Sequence, residues 1–267
     1  MKKTFIMLLA MAGVASAAEP FAEFFVVGDG SHNNDTGWNG GPPTQLVVGT
    51  KDAETSEITA LGTAQTWAHV GCVTFDSNAG TMTTDGTGTV QYLNKNQSGI
   101  TLNSMSYSFD ASWTQNESGT SYFTALGEDG NSTYSFRIGI IDNKWTITSE
   151  GYGAMTLTTQ GVAAASGSGT YIITSESVDG VQTINMYEDN ILVLSGSRDG
   201  QYGQPGNFKI GIGGCFGTTA NAMSATFSNV TLYNQVIPVE APVVPEPATA
   251  TLSLLALAGL AARRRRK

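Results

Sequence analysis

Few residues in this chain have the type and spacing that acid–base chemistry requires. Hydrolysis of a glycosidic bond uses two carboxylates flanking that bond. The pairs that stand out, Glu188-Asp189 and Glu128-Asp129-Gly130, are adjacent acids at turn signals. Successive side chains on a strand point to opposite faces, and Asp-Gly and Asp-Asn dipeptides favour turns, so both pairs read as solvated turns. A carboxylate pair assembled from separate strands stays open as the alternative. The imidazoles are His32 and His69. His69 lies three positions before Cys72, a spacing that puts the two side chains on opposite faces of a strand, so it reads as a structural histidine. No Cys-x-x-Cys and no metal-ligand spacing is present. The expectation is a chain with no catalytic residues.

Binding chemistry has more to work with. Asp29-Gly30-Ser31-His32-Asn33-Asn34-Asp35 places oxygen ligands at alternate positions, as a calcium loop does. It departs from the EF-hand at the sixth position, Asn34 instead of Gly, and at the twelfth, Gly40 instead of Glu. Asp29, Asn33 and Asp35 are the calcium candidates, and a solvated Asn/Gly loop is the alternative. Exposed aromatic rings can stack on the apolar C–H faces of sugars. Trp38 sits in a Gly-rich loop, and Tyr152 and Tyr202 each stand beside glycine; these three are the glycan-contact candidates. Trp113 falls in register with Tyr107 and Phe109 and belongs to the core. Cys72 and Cys215, 143 positions apart, either form a disulfide or remain buried thiols.

The elements positioning these residues are strands. Tyr107, Phe109, Ala111 and Trp113 alternate with Ser106, Ser108, Asp110 and Ser112, a period of two with one apolar face. Phe136-Ile138-Ile140 and Phe208-Ile210-Ile212 repeat it. Met223, Ala225 and Phe227 share a face, and Val230 and Leu232 continue out of phase, so a bulge is expected at Ser228-Asn229. Asp142-Asn143 and Asp189-Asn190 separate paired strand patterns and read as hairpin turns. The fold class that follows is all-β, an antiparallel sandwich. Residues 18–65 read as an N-terminal arm, or as strands packing on a main domain at 66–236; a Pro-rich linker follows at 237–248.

The ends are delivery signals. Met1-Lys2-Lys3, the apolar stretch Thr4 to Val14 and Ala15-Ser16-Ala17 have the order of a secretory signal peptide, 1–17. At the other end the apolar run Thr249 to Ala262 has 14 residues. As a helix it reaches about 21 Å, short of the ~30 Å of a hydrocarbon core, and it leads into Arg263-Arg264-Arg265-Arg266-Lys267. Seven of the 13 basic residues lie in these two ends, so segment 18–262 sets six against 22 acids, a net −16. Such acidity argues against nucleic acid and anionic membranes as partners. Membrane contact is expected only through the C-terminal helix, 249–267.

Pro245-Glu246-Pro247, the short apolar run and the Arg263–Arg266 cluster together resemble the PEP-CTERM sorting signal of Gram-negative bacteria. The resemblance implies signal peptidase and exosortase as processing partners, cleavage near the triplet, and a place in the envelope, on the outer surface or in the extracellular matrix, often with extracellular polysaccharide. A second resemblance covers 66–236. Ile184 to Val193, Phe208 to Gly214 and Phe227 to Asn234 are similar to strands of laminin-G-like and concanavalin-like domains, with Asn190 replacing the usual Gly. It implies a jelly-roll sandwich, a fold that hosts lectins, adhesion modules and glycan-cleaving enzymes. The Glu-x-Asp-x-x-Glu strand of concanavalin-like glucanases is absent. The expected function is an exported, non-enzymatic surface or matrix protein with weak glycan binding or a structural, adhesive role. The alternatives are a glycoside hydrolase or lyase with an unfamiliar acid pair and a calcium-stabilised adhesion module.

Overall fold

The structure, a computed structural model, describes residues 18–33, 44–61, 65–68, 72–84, 89–95, 103–115, 120–127, 136–149, 155–199, 207–213 and 223–239. Its first strands are β1 (Ala22–Val26), β2 (Gly30–Asn33), β3 (Leu46–Lys51), β4 (Ile58–Ala60), β5 (Gln65–Ala68) and β6 (Cys72–Asp76). β7 (Thr81–Thr84), β8 (Thr89–Lys95), β9 (Ser104–Gln115), β10 (Thr120–Gly127), β11 (Phe136–Ile141) and β12 (Lys144–Ser149) follow. The last are β13 (Thr156–Gln160), β14 (Ser166–Val178), β15 (Val181–Glu188), β16 (Ile191–Asp199), β17 (Asn207–Gly213) and β18 (Met223–Tyr233).

The alternation along β9 decides which face turns inward. Met105, Tyr107, Phe109, Ala111 and Trp113 are buried, while Ser112 and Thr114 on the opposite face are exposed. Each fully buried large side chain contributes about 1.5–3 kcal/mol relative to leaving it in water, so the whole strand is held in one register. Tight turns set the local pairing. Asp142 and Asn143 have φ of 51° and 59°, and Asp189 and Asn190 have 49° and 66°. Two consecutive left-handed residues make the turn whose twist matches the flanking strands, and Asp and Asn tolerate that conformation. A third hairpin, through Asp179 and Gly180 with φ of 50° and 81°, joins β14 to β15.

Among the described residues all strand pairs are antiparallel, and the strands form two sheets. The large sheet has the order β13-β16-β15-β14-β9-β18-β1-β3-β4, with β7, β6 and β2 branching from β18. The small sheet runs β12-β11-β10-β17-β8-β5. The branch falls at the expected bulge. Before it, Ala225–Phe227 of β18 pair with β7; after it, Thr231 and Leu232 pair with β1. The register shifts between Ser228 and Thr231 opposite β9, and Asn229 has φ of 52°. The strands β1, β2, β3 and β4 thereby belong to the large sheet.

The core lies between the sheets and is dense in aromatic rings. Phe109 of the large sheet meets Phe123 of the small sheet at 5.3 Å, Trp113 meets Trp145 at 5.5 Å, and Phe123 meets Tyr171 at 4.8 Å, all edge-on. A hydrogen-bonded link also crosses the core: Tyr107 Oη pairs with Thr124 Oγ1 at 2.9 Å, and Thr124 Oγ1 donates to Gly211 O at 2.7 Å. The all-β antiparallel sandwich expected from the alternation is the architecture found. The terminal segments expected to be helical, 1–17 and 249–267, lie outside the described residues.

Candidate functional site

The outward face of the large sheet carries the polar side chains that alternation excludes from the core. An open depression of about 440 Å³ lies there, lined by residues including Asp110 and Ser112 of β9, Ser168 and Thr170 of β14, Thr226 of β18, and Asp189 of the β15–β16 turn. Thr170 connects the two carboxylates. Its Oγ1 donates to Asp110 Oδ1 at 2.6 Å, and its backbone N–H donates to Asp189 Oδ1 at 2.9 Å. Asp110 Oδ2 accepts from Asn229 Nδ2 at 2.7 Å. The bulge in β18 therefore orients Asp110, and the β15–β16 turn brings in Asp189. Each carboxylate oxygen keeps a further acceptor site, which suits a ligand hydroxyl.

A platform adjoins the depression one step along the strands. Ile172 of β14 pairs with Tyr187 of β15, and Tyr187 with Leu192 of β16. Their inward neighbours Tyr171, Ile173, Met186 and Leu194 are fully buried, so alternation turns Ile172, Tyr187 and Leu192 outward; Leu192 is 40% exposed. Partial burial raises the Tyr187 hydroxyl above the ordinary tyrosine value, keeping it a neutral donor at neutral pH. Tyr187 was not among the aromatics singled out from sequence. The signal was present, since Tyr187 follows Met186 in an alternating strand and so takes the opposite face.

Of the other residues expected to act, Asp29 Oδ1 accepts hydrogen bonds from the Ser77 backbone N–H and from Ser77 Oγ, both at 2.7 Å. These bonds hold the Asp29 carboxyl below the usual carboxylate range and tie the β1–β2 loop to the β6–β7 turn. Asn33 sits in β2, opposite Cys72 of β6. Asp35, Trp38, Tyr152, Tyr202, Cys215 and the sorting residues Pro245, Glu246, Pro247, Arg263, Arg264, Arg265 and Arg266 lie outside the described residues. No group of three His, Cys, Asp or Glu side chains converges among the described residues. Glu188 corrects the reading of Glu188-Asp189 as merely solvated. It accepts from Tyr171 Oη at 2.7 Å, and Tyr171 Oη accepts from Trp113 Nε1 at 2.7 Å. This polar chain runs from the core to the end of β15 beside the β15–β16 turn, and burial raises the Tyr171 hydroxyl well above its ordinary value.

The geometry defines an antiparallel β-sandwich with an outward face of hydroxyls, two carboxylates and a tyrosine. The chain's tail is more particular: residues 243–267 match the PEP-CTERM protein-sorting motif. The protein is thus exported, handled by the exosortase and signal peptidase system, and placed in the cell envelope or extracellular space typical of Gram-negative sorting systems. Comparison with curated proteins returned no match. Among solved structures the chain is similar to Trypanosoma rangeli sialidase in complex with a difluoro-KDN, with TM-score 0.46 and 16% identity over 68% of this chain. The chain spans 30% of that sialidase's length. It is also similar to the alginate lyase AlgAT5 of Polysaccharide Lyase family 7, with TM-score 0.42 and 10% identity over 80% of this chain and 94% of that one. The exoplasmic/lumenal domain of VIP36, in a Ca2+/Man-bound form, gives TM-score 0.42 and 10% identity over 68% and 86%.

Proposed function

We propose that this exported protein is a non-enzymatic component of the cell surface or extracellular matrix, one that holds neutral glycans weakly on the outward face of its large sheet. The observation carrying this reading is the depression that holds Asp110, Thr170 and Asp189, with Tyr187 one outward position further along the strands. Carboxylates and hydroxyls accept and donate to sugar hydroxyls, and a tyrosine ring receives the C–H face of a pyranose. Both Asp110 oxygens are engaged in orienting bonds, and Asp189 takes the place of a ladder carbonyl opposite Thr170. Such roles favour fixed acceptors over a proton-transferring pair. The body's acidity favours uncharged glycans over polyanions.

Affinity electrophoresis of the full chain against neutral polysaccharides tests the reading. Retention is expected without release of reducing sugar. Asp110→Asn and Tyr187→Ala should each weaken retention about tenfold, the loss of one charge-assisted hydrogen bond or one stacking contact. Sugar release that disappears in Asp110→Asn would show an enzyme instead, and no retention on any neutral polysaccharide would end the proposal.

A further inference from the structure

The depression is one end of a longer feature. In the strand registers, Ser168 of β14 stands opposite Ser112 of β9, and Ser112 opposite Thr226 of β18. Thr226 stands opposite Thr83 of β7, Thr83 opposite Thr74 of β6, and Thr74 opposite Ser31 of β2. Six consecutive strands thus place one hydroxyl each in a single row across the sheet. All are exposed except Thr226, which is half-buried. Strands lie ~4.8 Å apart, so the row spans about 24 Å. Ser168, Ser112 and Thr226 line the depression; Thr83, Thr74 and Ser31 extend the row beyond it.

Resting on the glycan-binding reading above, we propose that this row is a track for one long, uncharged, linear polysaccharide lying across the strands, with one sugar seated in the depression. Three observations support that occupant. The row holds only hydroxyls, each a donor and an acceptor, which is the chemistry of a neutral sugar chain and not of a polyion or an apolar segment. Four of the six hydroxyls are ordered in advance: Ser31 Oγ pairs with Thr74 Oγ1 at 2.9 Å, and Thr83 Oγ1 with Thr226 Oγ1 at 3.0 Å. Such a pair uses one hydrogen of two, leaving one donor and several lone pairs for a ligand, and it lowers the entropic cost of binding. Finally, the row is periodic. A single exposed hydrogen bond to a sugar is a small net gain against water. A repeating ligand adds such contacts one after another within a single binding event, as linked sites do. A monosaccharide reaches only the depression.

The test titrates the full chain with soluble xyloglucan, galactomannan and β-glucan, each as polymer and as its short oligomers. Variants are Asp110→Asn in the depression, Thr74→Val with Thr83→Val on the track beyond it, and Ser195→Ala on β16 as a control. Val keeps the shape and strand preference of Thr, and circular dichroism checks the fold; Ser31→Ala gives a second track variant at the rim. At least one polymer should bind about tenfold tighter per sugar than its oligomers. The track variants should remove that advantage and leave oligomer binding unchanged, whereas Asp110→Asn should weaken both. Equal affinity for polymer and oligomer, or polymer binding indifferent to the track variants, would overturn the track while leaving the depression as a glycan site. Absence of binding to every polymer and oligomer would instead remove the glycan-binding reading and the track with it.

Discussion

Trp113, Tyr171 and Glu188 show what a buried polar atom requires of its neighbours. The Trp113 indole packs so closely over Gly167 that a Cβ there would come within 2.8 Å of its ring. Packing of this kind leaves Trp113 Nε1 in the core, where its partner is the Tyr171 hydroxyl at 2.7 Å. A buried donor without a partner costs about 1–3 kcal/mol. Tyr171→Phe should therefore lower unfolding free energy by about 2 kcal/mol, and Tyr171→Phe combined with Trp113→Phe should cost less than the two single changes summed. Urea denaturation of the full cycle measures the coupling; strict additivity would mean the bond is energetically idle. At the same scale, Tyr187 shows how an outward residue escapes a search for aromatics in Gly-rich loops. It lies within a regular strand, and only its alternation with Met186 marks its direction.

Among the elements, β18 does the most to define the outward face. Its bulge switches the strand's phase, divides its far edge between β7 and β1, and aims Asn229 at Asp110. Asn229 holds φ of 52°, a conformation that Asn tolerates and β-branched residues resist. Asn229→Val should cost about 1–3 kcal/mol in stability and also loosen Asp110. Asn229→Gly should retain the backbone, so its stability loss should be smaller while the Asp110 contact is still lost. Thermal unfolding of the two variants separates the backbone contribution from the hydrogen bond, and equal losses would contradict the backbone argument. The bulge was legible in the sequence, because the apolar phase slips between Phe227 and Val230. The two hairpins through Asp-Asn were legible too, since turn chemistry is local. The Asp179-Gly180 hairpin carries the same chemistry.

For the whole molecule, acidity is the property that reaches furthest. The Ser77 bonds hold the Asp29 carboxyl below its ordinary value, and the Thr55 backbone and side chain, with the Glu54 backbone N–H, do the same for Asp52. A carboxyl whose folded pKa lies below the unfolded one contributes stability above the unfolded value, about pH 4, and loses it as pH falls through the folded value. The melting temperature should therefore hold across neutral pH and fall below about pH 4. Asp29→Asn should flatten part of that fall and speed hydrogen exchange at the Ser77 amide; an unchanged acid limb and an unchanged Ser77 exchange rate would show that the tie does not act in solution.

The sequence by itself determined the C-terminal sorting motif, the acidic body, the strand character and the inward or outward direction of most side chains. These depend on composition, on a period of two and on turn residues, all confined to short windows of chain. Only the tertiary structure decided that β9 lies between β14 and β18, and that β18 connects to β2 through β7 and β6. That order brings Ser31 and Ser168, far apart in sequence, into one row, and sets Asp110 beside Asp189 through Thr170. Strand pairing between distant segments is chosen by how two whole faces close over a shared core, and no local stretch of sequence contains that information.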